Sequence, residues 1–178
     1  SNILEVGIGN GLCIEHNADL ILKKKLQIHG IDIDDEYLDI CNQRIHDFKL
    51  QRFVSCKLQD LLEMSEDTKY DYVFFMESFP VIPLDIMASM VSKSKKMLKK
   101  DGEMIFVHNL YKNHKHKSSI EFKMIDYFKR RIKYIPFIWI DFGRLTTVYD
   151  FDLFLKKSDM MVTESRVLIS EKFLDSKI

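Results

Sequence analysis

The sequence predicts an α/β domain built on a mostly parallel central sheet with helices on both faces. Three observations predict it. Short apolar runs alternate in regular order with amphipathic stretches, the pattern of strands joined by crossover helices. The run Tyr72–Met76 is apolar throughout, as a strand covered on both faces must be. The first apolar run ends at an acidic residue and a loop with glycine at every second position, Glu5-Val6-Gly7-Ile8-Gly9-Asn10-Gly11, which opens onto a helical stretch.

The elements follow in order. Ile3–Val6 reads as the first strand and Leu12–Lys24 as the helix behind the glycine loop. Leu26–Ile31 is a second strand. Asp35–Phe48 is a helix with a stripe at Leu38, Cys41, Ile45 and Phe48, the three-then-four spacing of one buried face. Aspartates at its start suit the helix dipole and can cap its first amides. Phe53–Leu58 and Tyr72–Met76 are the third and fourth strands. Pro83 can open a helix running to Leu98, with Lys99 and Lys100 in the last turn, where cations are favoured. Asp101-Gly102 reads as a turn and Met104–Val107 as the fifth strand. Beyond it the pattern changes: a basic stretch from Asn109 to Lys117, a helical stripe over Ile120–Ile132, and an apolar patch, Tyr134–Phe142, with the only tryptophan, Trp139. Asp150–Lys157 reads as a helix and Met161–Ile169 as a sixth strand. The segment 109–149 is too long for a crossover and is the natural place for a substrate-shaping insertion.

Composition narrows the class. A chain of 178 residues fits one domain, long enough to bury roughly 70% of the surface its unfolded form exposes. Lys plus Arg equals Asp plus Glu at 27 each, so no global field draws it to nucleic acid or anionic membrane. Cys13, Cys41 and Cys56 are odd in number and lack C-x-x-C spacing, which reads as reduced core thiols in a cytoplasmic setting. No apolar run reaches the length of about 18 residues that a membrane span needs. Ser1 and Asn2 run straight into a strand and the last residues look cut in mid-element, so one domain, 1–178, trimmed at both ends, is expected.

The loop names its ligand class through spacing. Glycine admits close backbone approach and strained dihedrals. The dinucleotide fingerprint places its third glycine three residues after the second. Here Gly11 follows Gly9 by two, and Glu5 stands just upstream. This resembles the first motif of the class I S-adenosylmethionine-dependent methyltransferases, E/D-x-G-x-G-x-G, a Rossmann-like family. The resemblance covers about Ile3 to Val107 in motif order and is weaker from Thr146 to Ile169. In one departure, Leu98-Lys99-Lys100-Asp101-Gly102 replaces the family's L-K-P-G-G turn.

The resemblance implies S-adenosyl-L-methionine as cofactor and S-adenosyl-L-homocysteine as product. It implies a cradle at Gly7, Gly9 and Gly11, and Glu5 on the ammonium of the amino-acid tail. Asp32, about twenty residues past the loop at the end of the second strand, would accept the ribose hydroxyls. Asp34 and Asp35 compete for that role but fall where the next helix is capped. Ile33 would pack on the adenine, Asp60 would accept from its exocyclic amine, and Leu61 would cover the ring. Met76 and the turn after it would contact the tail and the reacting methyl.

Methyl transfer needs chiefly an aligned nucleophile, and a base only where the acceptor must lose a proton. Glu77 and His108, at the ends of the fourth and fifth strands, are the candidates for catalysis. Tyr149, His114 and His116 are weaker ones. The two insertion histidines have no acidic or thiol partner nearby, so no metal site is expected. Glu77-Ser78-Phe79-Pro80 lacks the N/D-P-P-Y/F turn of nucleic-acid amino-methyltransferases. The basic clusters Lys112–Lys117 and Lys129–Lys133, with aromatics between them, keep nucleic acid open as a partner, less favoured because a charge run is more often a solvated face and the net charge is zero. The expectation is methyl transfer to an oxygen or nitrogen of a small-molecule acceptor, with the insertion as its lid. The alternatives are an RNA or protein methyltransferase, or a non-catalytic cofactor-binding scaffold subunit.

Overall fold

The computed structural model describes residues 1–76, 78, 82, 84–107, 154–155 and 160. Five strands form one sheet in the order β3-β2-β1-β4-β5, and every neighbouring pair is parallel. They are β1 (Asn2–Val6), β2 (Gln27–Asp32), β3 (Val54–Leu58), β4 (Tyr70–Met76) and β5 (Leu98–Val107). The chain thus begins in the middle of the sheet, winds outward through β2 and β3, and crosses β1 to lay down β4 and β5. The carboxyl ends of β1 and β4 therefore lie side by side where the winding reverses, the usual place for a ligand in an open sheet of this kind.

Helices α1 (Leu12–His16), α2 (Ala18–Lys24) and α3 (Asp35–Asp47) cover one face. Their core joins Ile14, Ile21, Leu38, Cys41 and Ile45 to Ile28 of β2 and Val54 of β3. Helix α4 (Leu84–Met97) covers the other face, where Met87, Val91 and Met97 pack on Leu4, Val6, Ile31, Val73 and Phe75. Alternation along the strands separates the two cores: Ile28 and Ile31 face opposite sides of the same strand. The expected α/β sheet with helices on both faces is what forms.

Several elements differ from the sequence expectation. The helix expected over Leu12–Lys24 is two helices broken at Asn17. The Asn17 side-chain amide donates to the Cys13 carbonyl at 2.8 Å, and its backbone leaves helical geometry with φ −111° and ψ 14°. An Asn that offers the backbone a local alternative has ended the run. In α3 the stripe holds at Leu38, Cys41 and Ile45, but Phe48 lies past the helix and is exposed. Asp34 caps this helix, accepting the Tyr37 amide at 3.0 Å. Lys99 and Lys100, expected in the last turn of the fourth helix, belong to β5 instead. Leu98 already pairs with Tyr70, and the Lys99 ammonium meets the Asp71 carboxylate at 2.7 Å. The expected turn at Asp101-Gly102 lies within β5, where the pairing with β4 shifts register before Glu103 joins Tyr72. Pro83, the insertion with Trp139, and the sixth strand lie outside the described residues.

All three cysteines are free. Burial raises each thiol's pKa, that of Cys41 to about 12, which disfavours the thiolate at all three. Among the described residues no helix is long and apolar enough to cross a membrane.

Candidate functional site

The glycine loop joins β1 to α1 and is tied down at nearly every residue. The amides of Gly7 and Ile8 both donate to the Ile31 carbonyl, at 2.9 and 3.1 Å, and the Gly11 amide donates to the Ile8 carbonyl at 3.2 Å. The Gly9 amide donates to Asp32 Oδ2 at 2.8 Å, and the Leu12 amide to Asn10 Oδ1 at 3.2 Å. One loop donor remains: the Asn10 amide has no partner among the described residues. It and the amides of Cys13 and Ile14 in the first turn of α1, which also have no partner among the described residues, are donors a bound anion can use.

The three glycines serve different ends. All have positive φ, 76°, 55° and 74° for Gly7, Gly9 and Gly11. A Cβ on Gly11 would stand 2.7 Å from the Cys41 thiol and 3.2 Å from the Cys41 Cα. Gly11 is thus glycine so that α1 can pack on α3. At Gly7 the neighbour is Ser78 Oγ, 2.7 Å away, which reaches across from the end of β4 to donate to the Val6 carbonyl at 2.7 Å. At Gly9 nothing among the described residues lies within 4 Å of the Cβ position. Only there does the lack of a side chain leave the backbone open to a ligand.

Glu5 lies beneath the loop. It is 4% exposed, and no hydrogen bond or ion pair reaches its carboxylate among the described residues. Burial raises its pKa from 4.5 to about 7. A buried carboxylate without a donor is costly unless a cation or a proton satisfies it. It is the group in the loop's floor most in need of a positively charged partner.

Asp32 ends β2. Besides the Gly9 amide, its other oxygen accepts the amides of Ile33 and Asp34 at 2.8 and 3.1 Å. A carboxylate offers about four acceptor positions, so three bonds leave room for roughly one further donor. Ile33, next in the chain, is 77% exposed, and Leu58, Asp32's partner on β3, is 61% exposed. Together they form an apolar edge beside the carboxylate. Asp60 caps the short 3-10 turn Leu61–Glu63, accepting the Leu62 amide at 2.8 Å. Leu61, expected over an aromatic ring, is 2% exposed and packs in the α4-side core. Met76 ends β4 and is partly exposed. Glu77 and His108, the candidates for catalysis, lie outside the described residues, as do Tyr149, His114 and His116.

The structure therefore gathers Glu5, Gly7, Gly9, Gly11, Asp32, Ile33, Asp60 and Met76 at the carboxyl edge of one parallel sheet. It adds three residues that spacing did not single out. Ser78 locks the end of β4 to β1, and Leu58 extends the apolar edge. Arg44 of α3 reaches back to the loop, its Nη1 donating to the Asn10 carbonyl at 2.6 Å. Leu58 was within reach of sequence reasoning, as the residue paired with Asp32 on the next strand. The contacts of Ser78 and Arg44 span 72 and 34 residues and leave no local signal. Among the described residues, no three metal-binding side chains come together.

A family model described as a methyltransferase domain matches residues 3–102. No curated protein matches in sequence. Among solved structures, the chain is similar to a mitomycin 7-O-methyltransferase, with TM-score 0.69 and 13% identity over 92% of this chain and 44% of that one. A geranyl diphosphate C-methyltransferase from Streptomyces coelicolor A3(2) gives 0.63 and 12% over 89% and 52%. A coclaurine N-methyltransferase gives 0.54 and 20% over 63% and 32%. The chain spans only 32–52% of the length of these three and 36–41% of three further methyltransferase structures. At such identities the likeness is one of fold. The names of the first three give oxygen, carbon and nitrogen as the methylated atom, so the fold does not by itself select the acceptor.

Proposed function

This chain belongs to the methyltransferase-domain family, and from that premise we propose that it moves a methyl group from S-adenosyl-L-methionine to an oxygen or nitrogen of a small-molecule acceptor. The observation that carries the reading is the open Gly9 in a loop that follows the buried carboxylate of Glu5 and holds an amide, that of Asn10, with no partner among the described residues. These groups fit the cofactor's amino-acid tail, which bears one cation and one anion.

When bound, the cofactor supplies a methyl already activated by its sulfonium. Glu5 would hold the tail's ammonium, and the Asn10 amide its carboxylate. Asp32 would take a ribose hydroxyl on its remaining acceptor position. Ile33 and Leu58 offer the apolar edge for the adenine, and Asp60 has a second carboxylate oxygen for its amine. What remains for the protein is to hold an acceptor in line and exclude water. We assign acceptor recognition to residues 109–149, and the proton-accepting role, where one is needed, to Glu77 or His108. All of these lie outside the described residues. The three free thiols support a cytoplasmic setting.

The test is transfer of a labelled methyl from S-adenosylmethionine to a panel of small metabolites, small RNAs and proteins. Label in a small molecule is expected. Label in RNA or protein alone would move the acceptor class. No transfer at all, with S-adenosylhomocysteine still bound, would make the chain a cofactor-binding scaffold.

A further inference from the structure

Arg44 lies on α3, one turn past Cys41, and its side chain is 24% exposed. Its guanidinium makes two contacts at once. Nε meets Glu15 Oε2 of α1 at 2.6 Å, and Nη1 donates to the Asn10 carbonyl at 2.6 Å. The planar fork of arginine lets one side chain hold both partners in fixed directions, which a single ammonium cannot do. Glu15 neutralises the charge and sets the plane of the fork.

The position of the held carbonyl matters. The Asn10 carbonyl belongs to the peptide unit between residues 10 and 11, and the Gly9 amide, held by Asp32, to the unit between 8 and 9. Between them lies the unit carrying the Asn10 amide, the loop donor without a partner among the described residues. Two side chains from different elements thus fix the peptide planes on either side of it. Gly9, with φ 55° and no Cβ contact among the described residues, has little of its own to resist rotation.

We propose that Arg44 is a positioning residue of this loop, clamping the Asn10–Gly11 peptide so that the Asn10 amide keeps its direction toward the carboxylate of a bound amino-acid tail. The assignment of that ligand rests on the functional reading above. The clamp itself rests on contacts within the chain. Arg44 touches no ligand and acts through the loop.

Amide exchange in the free protein and calorimetric titrations separate the two. In Arg44→Met the hydrogen-bonded amides of Gly9, Gly11 and Leu12 should exchange at least tenfold faster, with those of Leu4 and Ile28 unchanged. The dissociation constant for S-adenosylhomocysteine should rise tenfold or more. That for adenosine, which lacks the amino-acid tail, should change less than threefold. Arg44→Lys should recover part of the loss, and it carries the same comparison should Arg44→Met fail to fold. Unchanged S-adenosylhomocysteine affinity in a folded variant would overturn the proposal. So would an equal loss for both ligands that tracks a fall in Tm, because a merely structural contact behaves that way. Wild-type protein that binds no S-adenosylhomocysteine, with loop exchange still accelerated by Arg44→Met, would overturn the cofactor reading and leave the clamp standing.

Discussion

The carboxylate of Asp32, at the end of β2, accepts the amide of Gly9 at 2.8 Å. The glycine loop and the residue expected to bind ribose are thus one hydrogen-bonded unit rather than two separate halves of a site. Asp32 also accepts the Ile33 and Asp34 amides, so it shapes the turn that carries the apolar edge.

Asp32→Ala should therefore weaken S-adenosylhomocysteine binding by roughly 1.5–3 kcal/mol, the scale of charge-assisted hydrogen bonds, and also lower Tm. Asp32→Asn should do little better, because its NH2 group would face at least one of the three backbone amides that now donate to the carboxylate oxygens. Calorimetry and thermal melts on both variants check this. An Asn variant with wild-type affinity would remove Asp32 from the ligand's partners.

The glycines should separate by assay. Gly11→Ala brings a Cβ to 2.7 Å from the Cys41 thiol at a positive φ, which should destabilise the fold by about 2–5 kcal/mol. Gly9→Val meets nothing among the described residues, so the fold should survive with some strain while ligand binding is lost. A soluble Gly9→Val protein that binds S-adenosylhomocysteine normally would show that the loop is not the cradle.

How much of this was legible beforehand follows the range of the interaction. The succession of strands and helices along the chain, the Asp34 cap and the buried face at Leu38, Cys41 and Ile45 are local or periodic, and pattern reads them. The break at Asn17 depends on whether its side chain turns back to Cys13, which hydropathy does not encode. The early start of β5 is set by Lys99 meeting Asp71 from another strand. Within the site, glycine spacing revealed the loop but not which glycine was open, because that depends on Cys41 and Ser78 arriving from elsewhere. Arg44 falls off the apolar stripe and reads in sequence as a solvated cation.

Glu5 makes stability and binding depend on pH in opposite ways. Its pKa is raised on folding, from 4.5 to about 7, so its contribution to stability is fully present below pH 4.5 and is lost as pH rises through 7. The loss is on the order of 3 kcal/mol. Glu5→Gln should flatten this profile and raise Tm above pH 7. Binding an ammonium favours the ionised carboxylate, so S-adenosylhomocysteine affinity should climb from pH 5 to about 7 with proton release, then level off. A flat affinity profile with no proton release would remove Glu5 from the ammonium's partners.

Ser94 of α4 is fully buried, and its hydroxyl has no hydrogen-bond partner among the described residues. An unsatisfied buried hydroxyl costs about 1–3 kcal/mol. Ser94→Ala removes it with little change in volume and gains helix propensity. Thermal melts should show Tm higher by about 2–4 °C, with ligand affinity unchanged. A lower Tm would mean that the hydroxyl is satisfied after all.

The central claim is that the loop at Gly9, with Glu5 beneath it, holds a cofactor with an amino-acid tail rather than a dinucleotide. Parallel calorimetric titrations of the wild-type protein with S-adenosylhomocysteine and with NAD at pH 7.5, repeated on Glu5→Gln, test it most directly. Saturable S-adenosylhomocysteine binding that Glu5→Gln weakens at least tenfold, with no heat from NAD, is the expected result. Binding of NAD in preference, or S-adenosylhomocysteine binding indifferent to Glu5, would contradict it.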